Sequence, residues 1–174
     1  MKLLLIFNPT ACSGRAGRRL PEIRTGLEHF AKLEIRLTGQ AGDAREWLGA
    51  NGLTGFDGVI AAGGDGTLFE VLNGLYRHPR AERPPLGVIP IGTGNAFARD
   101  LGLDSNDWQT AISVIAKGQT RAFDAGRVDI DGETFYFLNI IGMGFPVDAM
   151  RTAKTLKKLG PAAYTLAAVS YTHL

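Results

Sequence analysis

The sequence predicts a layered α/β fold in which a mainly parallel β-sheet is flanked by helices and is followed by the start of an antiparallel, β-rich second domain. Two short apolar runs, KLLLIF (residues 2–7) and GVIAAG (58–63), are typical of strands buried on both faces of a parallel sheet. Helical patterns separate such runs, as in α/β proteins. Loops rich in glycine and small polar residues follow the runs, where each strand would pass into a helix.

The first part of the chain alternates strands and helices. Pro21 is tolerated in the first turn of a helix, where its missing N–H is not needed. The run LEIRLT alternates apolar and polar residues, as a half-buried strand does. Asn51-Gly52 ends the helix that follows. The predicted elements are strand 2–7, helix 18–31, strand 33–38, helix 41–50 and strand 58–63.

The next helix is predicted over residues 67–76. Its apolar residues recur at the spacing of one core-facing stripe, namely Leu68, Val71, Leu72, Leu75 and Tyr76. Thr67 and Glu70 have the spacing of a capping box, in which each side chain accepts a free backbone N–H of the other residue. Strand 86–92, a helix to about residue 101 and a helix over 107–117 complete this part of the chain.

A change of pattern near residue 120 predicts the second domain. Asp131-Gly132, flanked by two strand-like segments, is a strong two-residue hairpin signal. We therefore predict an α/β domain over residues 1–120 and the incomplete beginning of a β-rich domain over 121–174. The helix-like last stretch stops without a cap or a polar tail, so we expect the chain to be a fragment of a longer protein.

Composition and charge exclude several functional classes. The net charge of +2 is too small to indicate nucleic-acid binding, and no motif of a nucleic-acid-binding domain is present. The single cysteine, Cys12, fits a reducing compartment. No apolar run has the length of a signal-peptide core or a membrane span, so we expect a cytoplasmic protein that is at most peripheral at the inner membrane surface.

Three loops carry the residues that indicate chemistry: NPTACSG, GGDGT and GTGNAF. Each follows a predicted strand, so all three are expected at the carboxyl edge of the sheet. A glycine-rich turn into a helix exposes backbone N–H groups to a phosphate, and the helix dipole favours the anion. Asp65, inside GGDGT, could accept a proton from an attacking hydroxyl or orient magnesium. A tight left-handed turn is the structural alternative for these glycines.

These motifs together resemble the catalytic domain shared by diacylglycerol kinases, sphingosine kinases and bacterial lipid kinases. GGDGT followed by LFEVLNGL, and then IPIGTGNAFARDLG, carry the resemblance, with IFNPTACSG before them and FLNIIGMGF and KKLG after them. The resemblance covers nearly the whole chain. The motif GGDGT alone is shared with NAD kinases and phosphofructokinases, whereas GTGNAFARDL resembles the corresponding motif of the lipid kinases. The fold implied is NAD kinase/diacylglycerol kinase-like.

The resemblance implies a role for individual residues. Asp65 is implied as the catalytic residue, acting as base or as organiser of magnesium and phosphate. Asp124 and Asp148 are implied near the lipid headgroup, although either could be an ordinary turn or capping residue. Phe69 and Pro146 depart from the Asn and Asp that are commoner in the family. The residues implied to bind the nucleotide are Asn8, Pro9, Thr10, Thr38, Gly63, Gly64, Gly66, Thr67, Glu70, Gly92, Thr93, Gly94, Asn95 and Lys157.

The resemblance implies an ATP-dependent lipid kinase that transfers a γ-phosphoryl group from ATP, with Mg²⁺, to the hydroxyl of a diacylglycerol-type or related lipid at a membrane surface. The metal ligands are not identified by the sequence. A homodimer is a further expectation. Two alternatives stay open, namely a NAD kinase-like enzyme and a catalytically silent nucleotide-binding module.

Overall fold

Four strands form one parallel sheet. The computed structural model describes residues 1–104 and 107–140. The strands are β1 (Lys2–Phe7), β2 (Lys32–Leu37), β3 (Gly58–Gly63) and β4 (Leu86–Pro90), and they lie in the order β2-β1-β3-β4 with all neighbours parallel. The central strand β3 is buried along its whole length, and β1 is buried except at Lys2. The prediction of a mainly parallel sheet with buried central strands is confirmed.

Helices cover both faces of this sheet. The described residues contain the helices α1 (Leu20–Glu28), α2 (Asp43–Ala50), α3 (Asp65–Leu75), α4 (Ala96–Asp100) and α5 (Trp108–Ala116). Two short 3₁₀ helices, Arg15–Arg19 and Arg80–Glu82, lie in the connections.

The side chains of β1 alternate between two hydrophobic cores, one on each face of the sheet. Leu3, Leu5 and Phe7 belong to a core that includes residues of α1 and α5. Leu4 and Ile6 belong to the other core, which includes residues of α2 and α3. This division follows from the two-residue period of a strand. Burial of each large apolar side chain contributes about 1.5–3 kcal/mol, so the sheet is stabilised from both sides.

The structure corrects two of the sequence-based helix assignments. The predicted helix 18–31 is divided, because a 3₁₀ helix ends at Arg19 before α1 begins at Leu20. The predicted capping box of Thr67 and Glu70 is wrong, because α3 begins at Asp65 and its first turn has no side-chain cap. Both side chains bind partners far away in the sequence instead.

An antiparallel hairpin follows α5. Its strands are β5 (Gly126–Ile130) and β6 (Glu133–Phe137), and Ile130 pairs with Glu133. The two turn residues, Asp131 and Gly132, have φ values of 51° and 82°. Two successive positive φ values are the requirement of a type I′ turn, which matches the twist of the flanking strands. The hairpin predicted at Asp131-Gly132 is therefore confirmed.

The described part of the chain does not test the predicted division into domains at residue 120. Met1–Asn139 form one compact unit, to which the hairpin belongs. Most of the predicted second domain, 121–174, lies outside the described residues, so this division stays a prediction. Among the described helices, none combines the length and the apolar character needed to cross a bilayer.

Candidate functional site

A pocket lies at the carboxyl edge of the parallel sheet. Its cavity volume is about 320 Å³. Loops that follow β1, β2, β3 and β4 all contribute to it, because parallel strands bring their carboxyl ends to one edge. The lining residues are Asn8, Thr10, Ala11, Cys12, Thr38, Gln40, Ala41, Gly64, Gly66, Thr67, Glu70, Gly92 and Thr93.

Two of the glycine loops touch each other through their main chains. A Cβ atom placed on Gly92 would overlap the Cα atom of Gly64, and it would lie 2.7 Å from the Gly64 nitrogen and 2.9 Å from Asn95 Oδ1. Any side chain at residue 92 would therefore force the GGDGT and GTGN loops apart. Glycine is required at residue 92 because the two main chains approach each other closely, and not because the residue has a left-handed conformation.

Asn95 holds the GTGN turn in shape. It is buried and has a left-handed backbone, with φ 53° and ψ 43°. Its Oδ1 accepts the N–H of Gly92 at 3.1 Å, and its Nδ2 donates to the Gly92 carbonyl at 2.9 Å. The amide is thereby committed to the turn, and Asn95 does not line the pocket.

Asn8 joins the first loop to helix α3. Its Nδ2 donates to Thr67 Oγ1 at 3.0 Å. Its Oδ1 accepts both the N–H and the Oγ1–H of Thr10, at 3.0 and 2.8 Å. One side chain thus fixes the loop after β1 against the helix that follows β3.

Glu70 fixes the loop that follows β2. Its Oε1 accepts the N–H of Gly42 at 2.9 Å, and its Oε2 accepts the N–H of Ala44 at 3.3 Å. These donors belong to the N-terminus of α2, where backbone N–H groups lack intrahelical partners and a negative charge is favourable. Glu70 of α3 therefore caps α2 from across the pocket.

Asp43 supports the same loop from its other end. Its Oδ2 accepts the N–H groups of Gly39 and Gln40, at 2.7 and 3.0 Å. These two bonds, that from Gly39 first, hold the pKa of the Asp43 carboxyl below its ordinary value. Asp43 and Glu70 together hold the loop between Thr38 and Asp43.

Asp65 belongs to the GGDGT loop and faces the GTGN loop. It is the first residue of α3 and is exposed. A Cβ atom on Gly94 would come within 2.6 Å of Asp65 Oδ2, so the carboxylate faces the GTGN loop. Its chain neighbours, Gly64 and Gly66, both line the pocket. A carboxylate at this position is next to the pocket, where a reacting group could reach it.

The balance of charge in the pocket bears on its ligand. Among the lining residues, Glu70 is the single charged one, and the other lining residues are small or polar and uncharged. A guanidinium lies close by, because Arg15 Nη2 is 3.3 Å from Cys12 Sγ and Arg15 Nε donates to the Cys12 carbonyl at 3.3 Å. Within the part of the chain that the structure describes, no group of three or more His, Cys, Asp or Glu residues is arranged to hold a metal ion.

Comparison with known proteins assigns the chain to a family. Residues 2–128 match the model of the diacylglycerol kinase catalytic domain. The chain belongs to this family. The resemblance inferred from GGDGT and GTGNAFARDL is confirmed.

Relatives in several bacteria agree with this assignment. The diacylglycerol kinase of Bacillus subtilis (strain 168) is 39% identical over 167 residues, which cover 93% of this chain and 52% of that protein. A protein of Pectobacterium atrosepticum named "Probable lipid kinase YegS-like" is 37% identical over 154 residues, covering 85% of this chain and 50% of that one. The chain therefore spans about half the length of the relatives it matches.

A solved structure has the same fold. The crystal structure of a diacylglycerol kinase from Bacillus anthracis str. Sterne superimposes with a TM-score of 0.64 at 36% identity, covering 77% of this chain and 47% of that one. The fold class expected from the sequence, with a diacylglycerol kinase-like parallel sheet, is confirmed.

The structure brings most of the predicted nucleotide residues together. Nine of them line the pocket: Asn8, Thr10, Thr38, Gly64, Gly66, Thr67, Glu70, Gly92 and Thr93. Four others, Pro9, Gly63, Gly94 and Asn95, lie beside these in the chain without lining the pocket. Asp124 is exposed in the segment before β5 and is not among the lining residues. Lys157 and Asp148 lie outside the described residues.

Sequence reasoning missed four lining residues, namely Ala11, Cys12, Gln40 and Ala41. Gln40 and Ala41 follow β2, whose carboxyl end faces the same edge as the glycine loops. The parallel-sheet rule that located the other loops could have found them. No sequence pattern distinguishes a cysteine that fills space from one that lines a pocket, as Cys12 does.

Proposed function

We propose that the protein to which this chain belongs is an ATP-dependent lipid kinase, which transfers the γ-phosphoryl group of ATP to a hydroxyl of a diacylglycerol-type lipid. One observation carries the proposal: the three motif loops of a diacylglycerol kinase family member meet in one pocket at the carboxyl edge of the sheet. The names of the relatives in Bacillus subtilis and Pectobacterium atrosepticum support a lipid as the acceptor.

The nucleotide occupies this pocket in the proposal. Gly64 and Gly66 offer backbone N–H groups to its phosphates, and the N-terminus of α3 favours their negative charge. The N–H of Gly92 is taken by Asn95 Oδ1, so Gly92 contributes by letting the GTGN loop approach Gly64 closely. Asn8, Thr10 and Thr38 line the site with small polar groups, and Glu70 keeps the loop after β2 in place. Pro9, Gly63, Thr67, Thr93, Gly94 and Asn95 shape the loops around these groups.

Asp65 is the proposed catalytic residue. The lipid hydroxyl oxygen forms a bond to the γ-phosphorus while the bond to the β–γ bridging oxygen breaks and ADP leaves with the electron pair. Asp65 accepts the hydroxyl proton, or alternatively orients the metal ion and the phosphates. The carboxylate stands at the positive end of a helix and faces the second glycine loop, which suits either task.

Mg²⁺ fits this site as a companion of the nucleotide. Magnesium is commonly held by substrate phosphates and only one or two carboxylates, so a dedicated cluster of protein ligands is not needed. Asp65 supplies one such carboxylate. The bound ion would neutralise charge that develops on the phosphates.

The remaining predictions belong to the same proposal. Lys157 contributes a positive charge to the nucleotide phosphates, and Asp124 and Asp148 lie near the lipid headgroup. Residues 1–120 form the nucleotide-binding domain, and 121–174 begin the lipid-binding domain. The protein meets its substrate as a peripheral protein at the membrane surface, and a homodimer remains an expectation.

Substitution of Asp65 tests the proposal. The natural full-length protein is assayed for transfer of labelled phosphate from ATP to vesicles that contain diacylglycerol, a sphingoid base or phosphatidylglycerol, with NAD as a soluble acceptor. Asp65→Asn lowers kcat by about 100-fold or more, because removal of an acid–base group typically costs that much. Asp57→Asn is the matched control, since Asp57 precedes the same strand β3 at its opposite end, where its carboxylate accepts the Lys2 N–H at 2.6 Å.

Each result has a defined meaning. An Asp65→Asn variant that phosphorylates lipid at the parent rate would refute the catalytic assignment. Transfer to NAD and to no lipid would favour the NAD kinase-like alternative. ATP binding without transfer to any of these acceptors would favour the silent nucleotide-binding module.

A further inference from the structure

Helix α3 has a second face that contacts the β5–β6 hairpin. One face carries Thr67 and Glu70, which line the pocket. The other carries Phe69 and Asn73 and is continued by Tyr76, the residue directly after α3, at the spacing of successive helical turns. Phe69 stacks on Phe135 of β6 with ring centroids 6.1 Å apart, and the ring centroids of Tyr76 and Tyr136 are 4.0 Å apart. A single helix thus joins the pocket to the hairpin.

Asn73 makes the polar part of this contact. Its Oδ1 accepts the N–H of Tyr136 at 2.8 Å, and its Nδ2 donates to the Tyr136 carbonyl at 2.9 Å. The same Nδ2 donates to the Phe69 carbonyl, one helical turn back, at 2.8 Å. Asn73 is 5% exposed, so these bonds are shielded from competing water. The N–H and the carbonyl of Tyr136 would be costly to leave unsatisfied.

The amide of Asn73 takes the place of a neighbouring strand. In the hairpin, Tyr136 pairs with Arg127 of β5. Both main-chain groups of Tyr136 are directed at Asn73, so this pair is one of the non-hydrogen-bonded positions that alternate along an antiparallel ladder. Asn73 therefore hydrogen-bonds both main-chain groups of Tyr136 at the outer edge of β6, as the next strand of a sheet would do.

This contact selects one register for the hairpin. A shift of β6 by one residue would present Phe135 or Phe137, whose main-chain groups face β5, so the two bonds to Asn73 would be lost. Residues 135–137 are all aromatic, so the shifted strand would still place an aromatic side chain against α3. A polar group with both a donor and an acceptor is needed for that selection, which apolar packing alone does not provide.

We infer that Asn73 is a positioning residue that holds the β5–β6 hairpin in one register on α3 and thereby sets where the lipid acceptor meets the nucleotide. The part of this inference that concerns the lipid acceptor rests on the proposed function, in which the hairpin begins the lipid-binding domain. α3 transmits the position directly, since Gly66, Thr67 and Glu70 of the same rigid helix line the pocket.

The test compares two asparagines in the natural full-length protein. Asn73→Asp keeps an acceptor for the Tyr136 N–H but loses the donor to the Tyr136 and Phe69 carbonyls, and it places a negative charge beside them. Asn51→Asp is the matched control. Asn51 Nδ2 also donates to the carbonyl four residues back, that of Trp47 at 2.7 Å, but Asn51 is exposed at the end of α2 and does not contact the hairpin.

A second variant separates the hairpin bonds from the helix bond. In Asn73→Ser the shorter hydroxyl can still donate to the Phe69 carbonyl within the helix, as serine commonly does, but it cannot reach both groups of Tyr136. This variant adds no charge, so it should fold even if the aspartate variant does not. Loss of function in the serine variant reports the two bonds to Tyr136.

Two measurements are made on each variant. Amide hydrogen exchange at Tyr136 becomes about tenfold faster in both Asn73 variants. In the serine variant the Tyr136 N–H loses its acceptor, and in the aspartate variant the acceptor is no longer held in place by the bonds that Asn73 Nδ2 donates. The KM for diacylglycerol in mixed vesicles rises about tenfold, whereas the dissociation constant of ATP changes less than twofold. Asn51→Asp changes none of these values.

The outcomes distinguish this inference from simple destabilisation and from failure of the proposed function. A merely structural role lowers the active fraction and the melting temperature but leaves both substrate constants unchanged, and that result overturns the inference. If the parent phosphorylates no lipid, the proposed function fails and the acceptor half of the inference fails with it. Unchanged exchange at Tyr136 in the serine variant would overturn the remaining half, whatever the activity.

Discussion

The pocket edge and the β5–β6 hairpin are held in place by different means. At the pocket, main chains press directly against each other between Gly64 and Gly92, and buried strands stand behind them. No residue of the two hairpin strands is buried, and the hairpin is held by side chains, among them the Asn73 amide, two aromatic pairs and the ion pair between Arg45 and Glu133. We therefore expect the structure of the pocket to be sensitive to added atoms, and that of the hairpin to be sensitive to altered side chains and altered turn geometry.

The largest effect is expected from Gly92→Ala. The new Cβ overlaps the backbone of Gly64, which cannot move without disturbing α3, so we expect a loss of stability of about 1–3 kcal/mol or more and loss of ATP binding. Thermal unfolding and calorimetric titration measure both. Gly66→Ala is the control for stability, because a Cβ there meets nothing within 4 Å and alanine favours the helix. Equal stability of the two variants would contradict the close approach.

An intermediate effect is expected from Glu70→Gln. Glutamine offers one acceptor oxygen, so its NH₂ group would face an N–H donor of Gly42 or Ala44. The loop after β2 loosens, and ATP affinity falls by about 5- to 10-fold while the melting temperature changes little. Glu46→Gln serves as the control, since Glu46 is exposed on α2 and pairs with Arg77 outside the pocket. Retained affinity in Glu70→Gln would mean that the loop holds its shape without the carboxylate.

The smallest effect is expected from Gly132→Ala. Its cause is conformational, because the added Cβ meets no atom within 4 Å but the residue has a φ of 82°. An L-residue in this region costs roughly 1–2 kcal/mol, and the hairpin bears that cost. Hydrogen exchange should quicken in β5 and β6 while ATP affinity stays unchanged. A matching loss of ATP affinity would show that the pocket and the hairpin are not independent.

Much of this arrangement could be predicted because it depends on local pattern. The apolar runs located β1 and β3 at their observed residues. The rule that parallel strands end at one edge then predicts that Asn8, Gly64 and Gly92 lie close together. Asp131-Gly132 has the conformation that its sequence demands, since few other dipeptides adopt two positive φ values.

The contacts that define the site could not be predicted, because they join distant segments. Thr67 and Glu70 have the spacing of a capping box, yet Thr67 binds Asn8 and Glu70 binds the start of α2. The local pattern is the same in either case, and tertiary partners decide which bond forms. The pairing of Asn73 with Tyr136 spans 63 residues and leaves no periodic trace in the sequence.

The strand order also determines the sequence of events in folding. Each pairing in the β2-β1-β3-β4 sheet joins strands separated by at least one helix and its loops, and β1 and β3 are separated by two helices and β2. Long stretches of chain must therefore close before any of these strands can pair. The hairpin needs only its two-residue turn, and such hairpins form on the order of microseconds. β5 and β6 should thus exist transiently before α3 has a surface to receive them. Docking on Asn73 would then be a late step that commits an already formed hairpin to one place.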